Sequence, residues 1–195
     1  LGILLIFDEI VSFRLSIGGA QAAYDIEPDL TCLAKVIAGG TAGGAFGGRK
    51  DVMALYDPTQ GSPAIAQSGT YNGNPMAMVA GLAALRAMTP NAYAQLDKLT
   101  AELVANLEQN FRSAGVEACI VVAGSLFRIY FLADPPTNYR QAAADSKEKH
   151  SWLYFWMANH GIMFRQWSAP SLPMTTQHAE SLAEETRRAL QEWPF

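Results

Sequence analysis

Charged residues are scarce in this chain. Asp, Glu, Lys and Arg make up 16% of its 195 residues against 50% hydrophobic, the balance of a globular chain with apolar surface enough for a real core. Basic residues are the scarcer sign, 14 against 18 acidic for a net charge of −4, and they form no stripe, so nucleic acid is not an expected partner. No apolar run approaches the ~20 residues of a membrane span, so no membrane association is expected. Cysteine is limited to Cys32 and Cys119, far apart and in apolar stretches; free thiols in a reducing cytoplasm are expected, not a disulfide. The three histidines, His150, His160 and His178, share no ligand spacing with each other or with cysteine, and no metal site is expected. No secretory signal is expected, since Leu1 to Phe7 is too short for one. Finally, the chain opens without methionine on what reads as a core strand. The expectation is the C-terminal part of a longer protein.

What is there begins with "LLIFDEIVSFR", residues 4 to 14. Its continuous apolar run suits a strand of a parallel sheet buried on both faces, ending at Asp8 and Glu9. Ligands of such sheets bind beyond the carboxyl ends of the strands. From this stretch alone Asp8 reads rather as a cap for the next segment or a solvated strand end, and Glu9 reads as structural. Residues 1–90 continue as short apolar segments between Gly-rich loops. They end in "NPMAMVAGLAALRAM", where Asn74 is the expected N-cap, Pro75 the first helical residue, and the nearly all-apolar pattern predicts a buried helix. Over 91–114, Tyr93, Leu96, Leu99, Leu103, Leu107 and Phe111 recur three or four apart, predicting an amphipathic bridging helix stopped by Gly115. Residues 115–195 read as a small α+β domain: strands in "VEACIVVA", "SLFRIYFL" and "IMFRQW", an aromatic-rich helix ending near Gly161, and a last helix with Ala179, Leu182, Ala183, Thr186 and Leu190 on one face. The aromatic cluster at 152 to 156 reads as helix packing and not as a ring-binding site.

Three features could share chemistry. Asp8 stands at a strand end. Lys35 is a lone lysine among Leu33, Ala34, Val36 and Ile37, and apolar surroundings would make its amine available as a nucleophile. "QSGTYNGNP" runs a Gly, Ser and Thr loop into a helix N-terminus, which favours phosphate. Singly each has a plainer reading: a carboxylate cap, a snorkelling lysine, a tight turn. Together they supply the amine, the carboxylate and the phosphate anchor that pyridoxal phosphate requires.

The segments "LLIFDEI", "GGAQAAYDIEPDLTCLAKVIAGG", "GGAFGGRKDVMALYDP" and "QSGTYNGNPMAMVAGLAALR" resemble the class III aminotransferases, pyridoxal-phosphate enzymes of fold type I, in order and spacing over roughly residues 1 to 90. The resemblance is nearest to the branch of glutamate-1-semialdehyde aminomutase and the β-amino-acid transaminases, and "HGIMFRQWSAPSLPMT" resembles the family's C-terminal domain more loosely. It implies an α/β fold: part of a large, mostly parallel-sheet domain that binds pyridoxal 5'-phosphate (1–90), then the bridging helix (91–114), then a small C-terminal α+β domain (115–195). It implies Asp8 as partner of the pyridinium nitrogen, Val11 against the cofactor ring, Lys35 as Schiff-base lysine, and Thr70 as a phosphate contact donated across a homodimer interface. Arg165 falls where some β-amino-acid transaminases hold a substrate carboxylate, and reads equally as a strand-edge cation.

"DEIVSFRLSIGG" lacks the extra glycine typical of aminomutase sequences before "FR". The implied function is therefore a cytoplasmic aminotransferase moving an amino group between an amino donor and a keto-acid acceptor through Lys35. Two alternatives stay open: an aminomutase acting on an amino aldehyde, and a truncated, inactive fragment that does not bind the cofactor.

Overall fold

The computed structural model describes residues 2–59, 61–163, 167–168 and 175–195. The chain divides into two compact units, Leu1–Ala92 and Tyr93–Phe195.

In the first unit β1 (Ile6–Asp8), a short helix α1 (Gly19–Ala23), β2 (Leu30–Ala34) and β3 (Gly44–Gly48) precede α2 (Lys50–Met53) and α3 (Pro75–Ala87). The strands form one sheet in the order β1-β2-β3. β1 runs parallel to β2 with Asp8 opposite Cys32, and β2 runs antiparallel to β3 with Cys32 opposite Phe46 and Ala34 opposite Gly44. The sheet described here is thus one parallel and one antiparallel pair. Asp29 ties the first strand's start to the end of β3: it accepts from the Leu5 amide at 2.7 Å and from the Arg49 guanidinium, which also grips Asp51.

Two expectations need correcting. β1 is not buried on both faces: no described residue of this unit covers Ile6, which is 55% exposed. Nor is α3 a buried helix. Asn74 caps it as expected, accepting from the Met76 and Ala77 amides, and Pro75 is its first residue. Only Ala77 and Gly81 are buried, whereas Met76, Val79 and Leu82 are exposed. An apolar sequence states what can be buried; burial also requires a second surface, and no described residue of this unit covers those side chains.

The second unit is built on α4 (Pro90–Ser113), whose buried Leu96, Thr100, Leu103, Val104, Leu107 and Phe111 lie on one face and which Gly115 ends in the left-handed conformation. An antiparallel sheet follows, β4 (Cys119–Ala123), β5 (Leu126–Tyr130) and β6 (Trp167–Ser168), with β5 central and Phe127 and Ile129 turned inward. Helices α5 (Tyr139–Ala142), α6 (Lys147–Asn159) and α7 (Thr176–Gln191) complete the unit. One core joins Leu103, Leu107, Phe111, Leu153, Met157, Leu182 and Leu190 to the sheet. Two buried threonines, Thr100 and Thr186, bond back to the carbonyls of Leu96 and Leu182, so their hydroxyls stay satisfied. None of the described helices is long and apolar enough to cross a membrane.

Candidate active site

Because β1 and β2 are parallel, their carboxyl ends lie on one edge of the sheet. Asp8 is the last residue of β1. Lys35, three residues after its strand partner Cys32, opens a 3-10 turn, Lys35–Ala38. Lys35 has φ 52°, in the left-handed region, where a side-chain-bearing residue costs about 1–3 kcal/mol and persists only if its surroundings enforce it. The enforcement is visible. Gly39 follows the turn at φ 58°, and a β-carbon there would collide with the Ala80 carbonyl of α3. A β-carbon on Gly81 of α3 would in turn collide with the Ile37 carbonyl. Helix and turn are in backbone contact, and the lysine is held at the strand end by that contact.

Lys35 is not wrapped in apolar side chains, contrary to the sequence reading. Its positive φ breaks the strand alternation just after Ala34, so the flanking Leu33, Ala34, Val36 and Ile37 do not enclose it, and it is exposed. Asp8 is likewise exposed and not buried. Its Oδ1 accepts from the Ile10 amide at 3.0 Å, and its Oδ2 accepts from no described residue. The Lys35 ammonium also has no described ion-pair partner. A free carboxylate oxygen and a free amine therefore stand at neighbouring strand ends. Val11, 50% exposed, follows in the turn after β1.

The buried carboxylate is the other member of the pair. Glu9 is fully buried and accepts three hydrogen bonds: Ser12 Oγ to Oε2 at 2.6 Å, the Ala20 amide to Oε2 at 2.9 Å, and the Gln21 amide to Oε1 at 2.8 Å. Burial pushes its carboxyl pKa up, but the Ser12 hydroxyl and the Gln21 and Ala20 amides outweigh that and hold it below the usual carboxylate value. The structural role read from sequence is thus specific. Its signal was the Glu9, Ser12 and Gly18-Gly19 spacing, since Gly19 (φ 75°) leaves room that a β-carbon, 2.6 Å from Oε1, would take.

Thr70 is exposed in the turn leading into α3. The same loop borders an open pocket of about 390 Å³, lined among others by Phe46, Tyr56, Gln67, Tyr71 and Asn72. Asp8, Cys32 and Phe46 stand in one row across the three strands, so Asp8 and Phe46 share a sheet face roughly 10 Å apart. Phe46 and Tyr56 meet edge to face at 5.1 Å. The carboxylate, the lysine turn and the pocket thus belong to one region of the first unit. Arg165 lies outside the described residues.

The histidines have other partners. His150 Nε2 lies 2.7 Å from the buried Asp145, which also accepts from the Phe131 amide and lies 3.6 Å from Arg128. His160 stacks on Trp156, and His178 closes a capping box with Thr175.

Comparison with known proteins shows the family. Residues 1–188 match the class III aminotransferase family. The chain is 36% identical over 193 residues to glutamate-1-semialdehyde 2,1-aminomutase of Desulforudis audaxviator, covering 98% of this chain and 44% of that protein. It is 40% identical over 186 residues to glutamate-1-semialdehyde 2,1-aminomutase 2 of Geobacillus kaustophilus, covering 95% and 43%. Among solved structures, an omega-transaminase from Sphaerobacter thermophilus superposes with TM-score 0.91 at 37% identity, covering 97% of this chain and 44% of that one. A β-phenylalanine aminotransferase from Variovorax paradoxus gives 0.88 at 35%, covering 98% and 45%. The chain belongs to the class III aminotransferase family and has the α/β fold of its fold type I members. It spans less than half the length of the relatives it matches.

Proposed function

We propose that this chain carries the lysine and the ring-nitrogen carboxylate of a pyridoxal-5'-phosphate-dependent aminotransferase, which moves an amino group between an amino acid or amine and a keto acid. The observation that carries the reading is Lys35, held in the left-handed conformation at the end of β2, beside the strand that ends in Asp8. The residues fit the cofactor: a free amine for its aldehyde, a free carboxylate oxygen for its ring nitrogen, and the Thr70 hydroxyl for its phosphate. When bound, the cofactor supplies an electron sink for the charge left when a proton departs the amine-bearing carbon. Lys35 Nζ would hold the cofactor's aldehyde and would serve as the base and acid that moves the substrate's proton. Asp8 would keep the ring nitrogen protonated, and Val11 would lie against the ring. Arg165 is assigned, on family resemblance alone, to a substrate carboxylate.

We assign Thr70 to the cofactor of a second copy in a homodimer. The exposed Met76, Val79 and Leu82 of α3, directly after the Thr70 turn, support this as apolar surface for a partner. Sedimentation of the protein should give a dimer. Two free cysteines support a reducing, cytoplasmic setting.

A second reading, internal amine migration on an amino aldehyde, is favoured by the names of the curated relatives. Supplying glutamate-1-semialdehyde with and without a keto acid separates the two. Turnover that needs the keto acid supports transfer; isomerisation without one supports the mutase. The cofactor assignment itself is tested by a visible spectrum and borohydride reduction with peptide mapping. A reduced adduct on Lys35 is expected, and a protein that takes up no pyridoxal phosphate overturns the proposal.

A further inference from the structure

We infer that Glu9 is a positioning residue for the proposed cofactor site: its buried carboxylate fixes the turn that sets Asp8 and Val11 relative to Lys35. The inference rests on the proposed function above.

Residues 8 to 12 are closed from both sides. Within the turn, Asp8 Oδ1 accepts from the Ile10 amide. Glu9 fastens the same five residues to the rest of the unit by four independent links. Its amide donates to the Cys32 carbonyl at 2.9 Å, which extends the β1–β2 ladder one residue past Asp8 and sets that residue's height against the strand that leads into Lys35. Its carbonyl accepts from the Phe13 amide at 3.1 Å, which starts the next 3-10 turn, Ser12–Leu15. Its carboxylate takes the Ser12 hydroxyl, which closes a ring over Ile10 and Val11, and the Ala20 and Gln21 amides of α1. Val11 is bracketed between two residues of one hydrogen-bonded ring.

The charge is required by the bonding pattern. Three donors converge on two carboxylate oxygens, and an ionised carboxylate is acceptor-only at both. A glutamine in the same place turns an NH₂ toward one of those donors whichever way it is flipped. Space is as limited as chemistry, since a β-carbon on Gly19 would meet Oε1 at 2.6 Å and the Phe13 ring at 3.0 Å. The pair thus divides its work: Asp8 faces outward with one oxygen free, and Glu9 faces inward with its carboxylate fully engaged.

The test compares the intact protein with Glu9→Gln and with the milder Ser12→Ala, which removes one donor and leaves the carboxylate in place. Three quantities are read: the dissociation constant for pyridoxal phosphate, the position and pH dependence of the Lys35-bound cofactor absorption band, and amide hydrogen exchange at Ile10 and Ser12 in the cofactor-free protein. Glu9→Gln is expected to weaken cofactor binding about tenfold or more, to shift the band's titration because Asp8 no longer meets the ring nitrogen squarely, and to speed exchange at Ile10; Ser12→Ala shows the same changes in smaller measure. Borohydride still reduces the adduct onto Lys35 in both. If either variant folds and binds the cofactor with unchanged affinity and an unchanged band titration, the positioning role is wrong, even where exchange has quickened. If the unmodified protein binds no cofactor, it is the proposed function that fails.

Discussion

Gly39 and Gly81 interlock: a β-carbon on Gly39 would strike the Ala80 carbonyl, and one on Gly81 would strike the Ile37 carbonyl. The turn that begins at Lys35 is therefore seated directly on the backbone of α3. Gly81 costs helix stability relative to alanine, and its presence in mid-helix is explained by this contact.

Gly81→Ala should consequently destabilise the protein although alanine is the better helix former. Overpacking of this kind costs about 1–3 kcal/mol, partly offset by the ~1 kcal/mol gain in helix propensity. Thermal unfolding measures the sum. A lower yield of reduced cofactor adduct on Lys35 in the folded variant is also expected, because the displaced turn carries that residue.

Asp8→Asn should leave folding nearly unchanged, since an asparagine Oδ1 can keep the bond from the Ile10 amide. Its charge is lost, and with it the partner of a protonated ring nitrogen. Turnover should fall about 10²–10³-fold with the melting temperature held, a separation read by steady-state assay and calorimetry together.

Acid should loosen the first unit through Glu9 and Asp29. Both carboxyls are held below their ordinary values in the fold: Glu9 as described, Asp29 by the Leu5 amide and then the Arg49 guanidinium. A lowered carboxyl pKa contributes stability that is complete above the unfolded value and is lost as pH falls through the folded one. The loss should thus set in below about pH 4–4.5, where unfolded carboxylates begin to protonate, and grow toward lower pH. Following hydrogen exchange of the Leu5, Ala20 and Gln21 amides from pH 6 downward checks the sign, and Glu9→Gln should flatten the response at Ala20 and Gln21.

Asp145→Ala should be the most damaging of these changes to the second unit. It strands the Phe131 amide and removes the buried carboxylate facing His150 and Arg128, a loss of about 3–5 kcal/mol, whereas Asp145→Asn should cost less by keeping an acceptor for Phe131. Chemical denaturation of the two variants distinguishes them.

Features that depend on neighbours along the chain could be read from the residues alone. Asn74 and Pro75 start α3, the three-and-four spacing of Leu96 to Phe111 makes α4, and Ala179 to Leu190 form the inner face of α7, because helical caps and periodicity are written within a few residues. The candidates Asp8, Lys35 and Thr70 came from motif order along the chain. The remainder depended on contacts between distant segments. Whether the apolar residues of β1 and α3 are covered depends on a surface elsewhere, and they are exposed. The left-handed Lys35 is enforced by Gly81, far along the chain, and Glu9's role by amides of Ala20 and Gln21. Adjacent acids in one strand end differ in burial because the pleat and the turn send one carboxylate to water and the other to three donors.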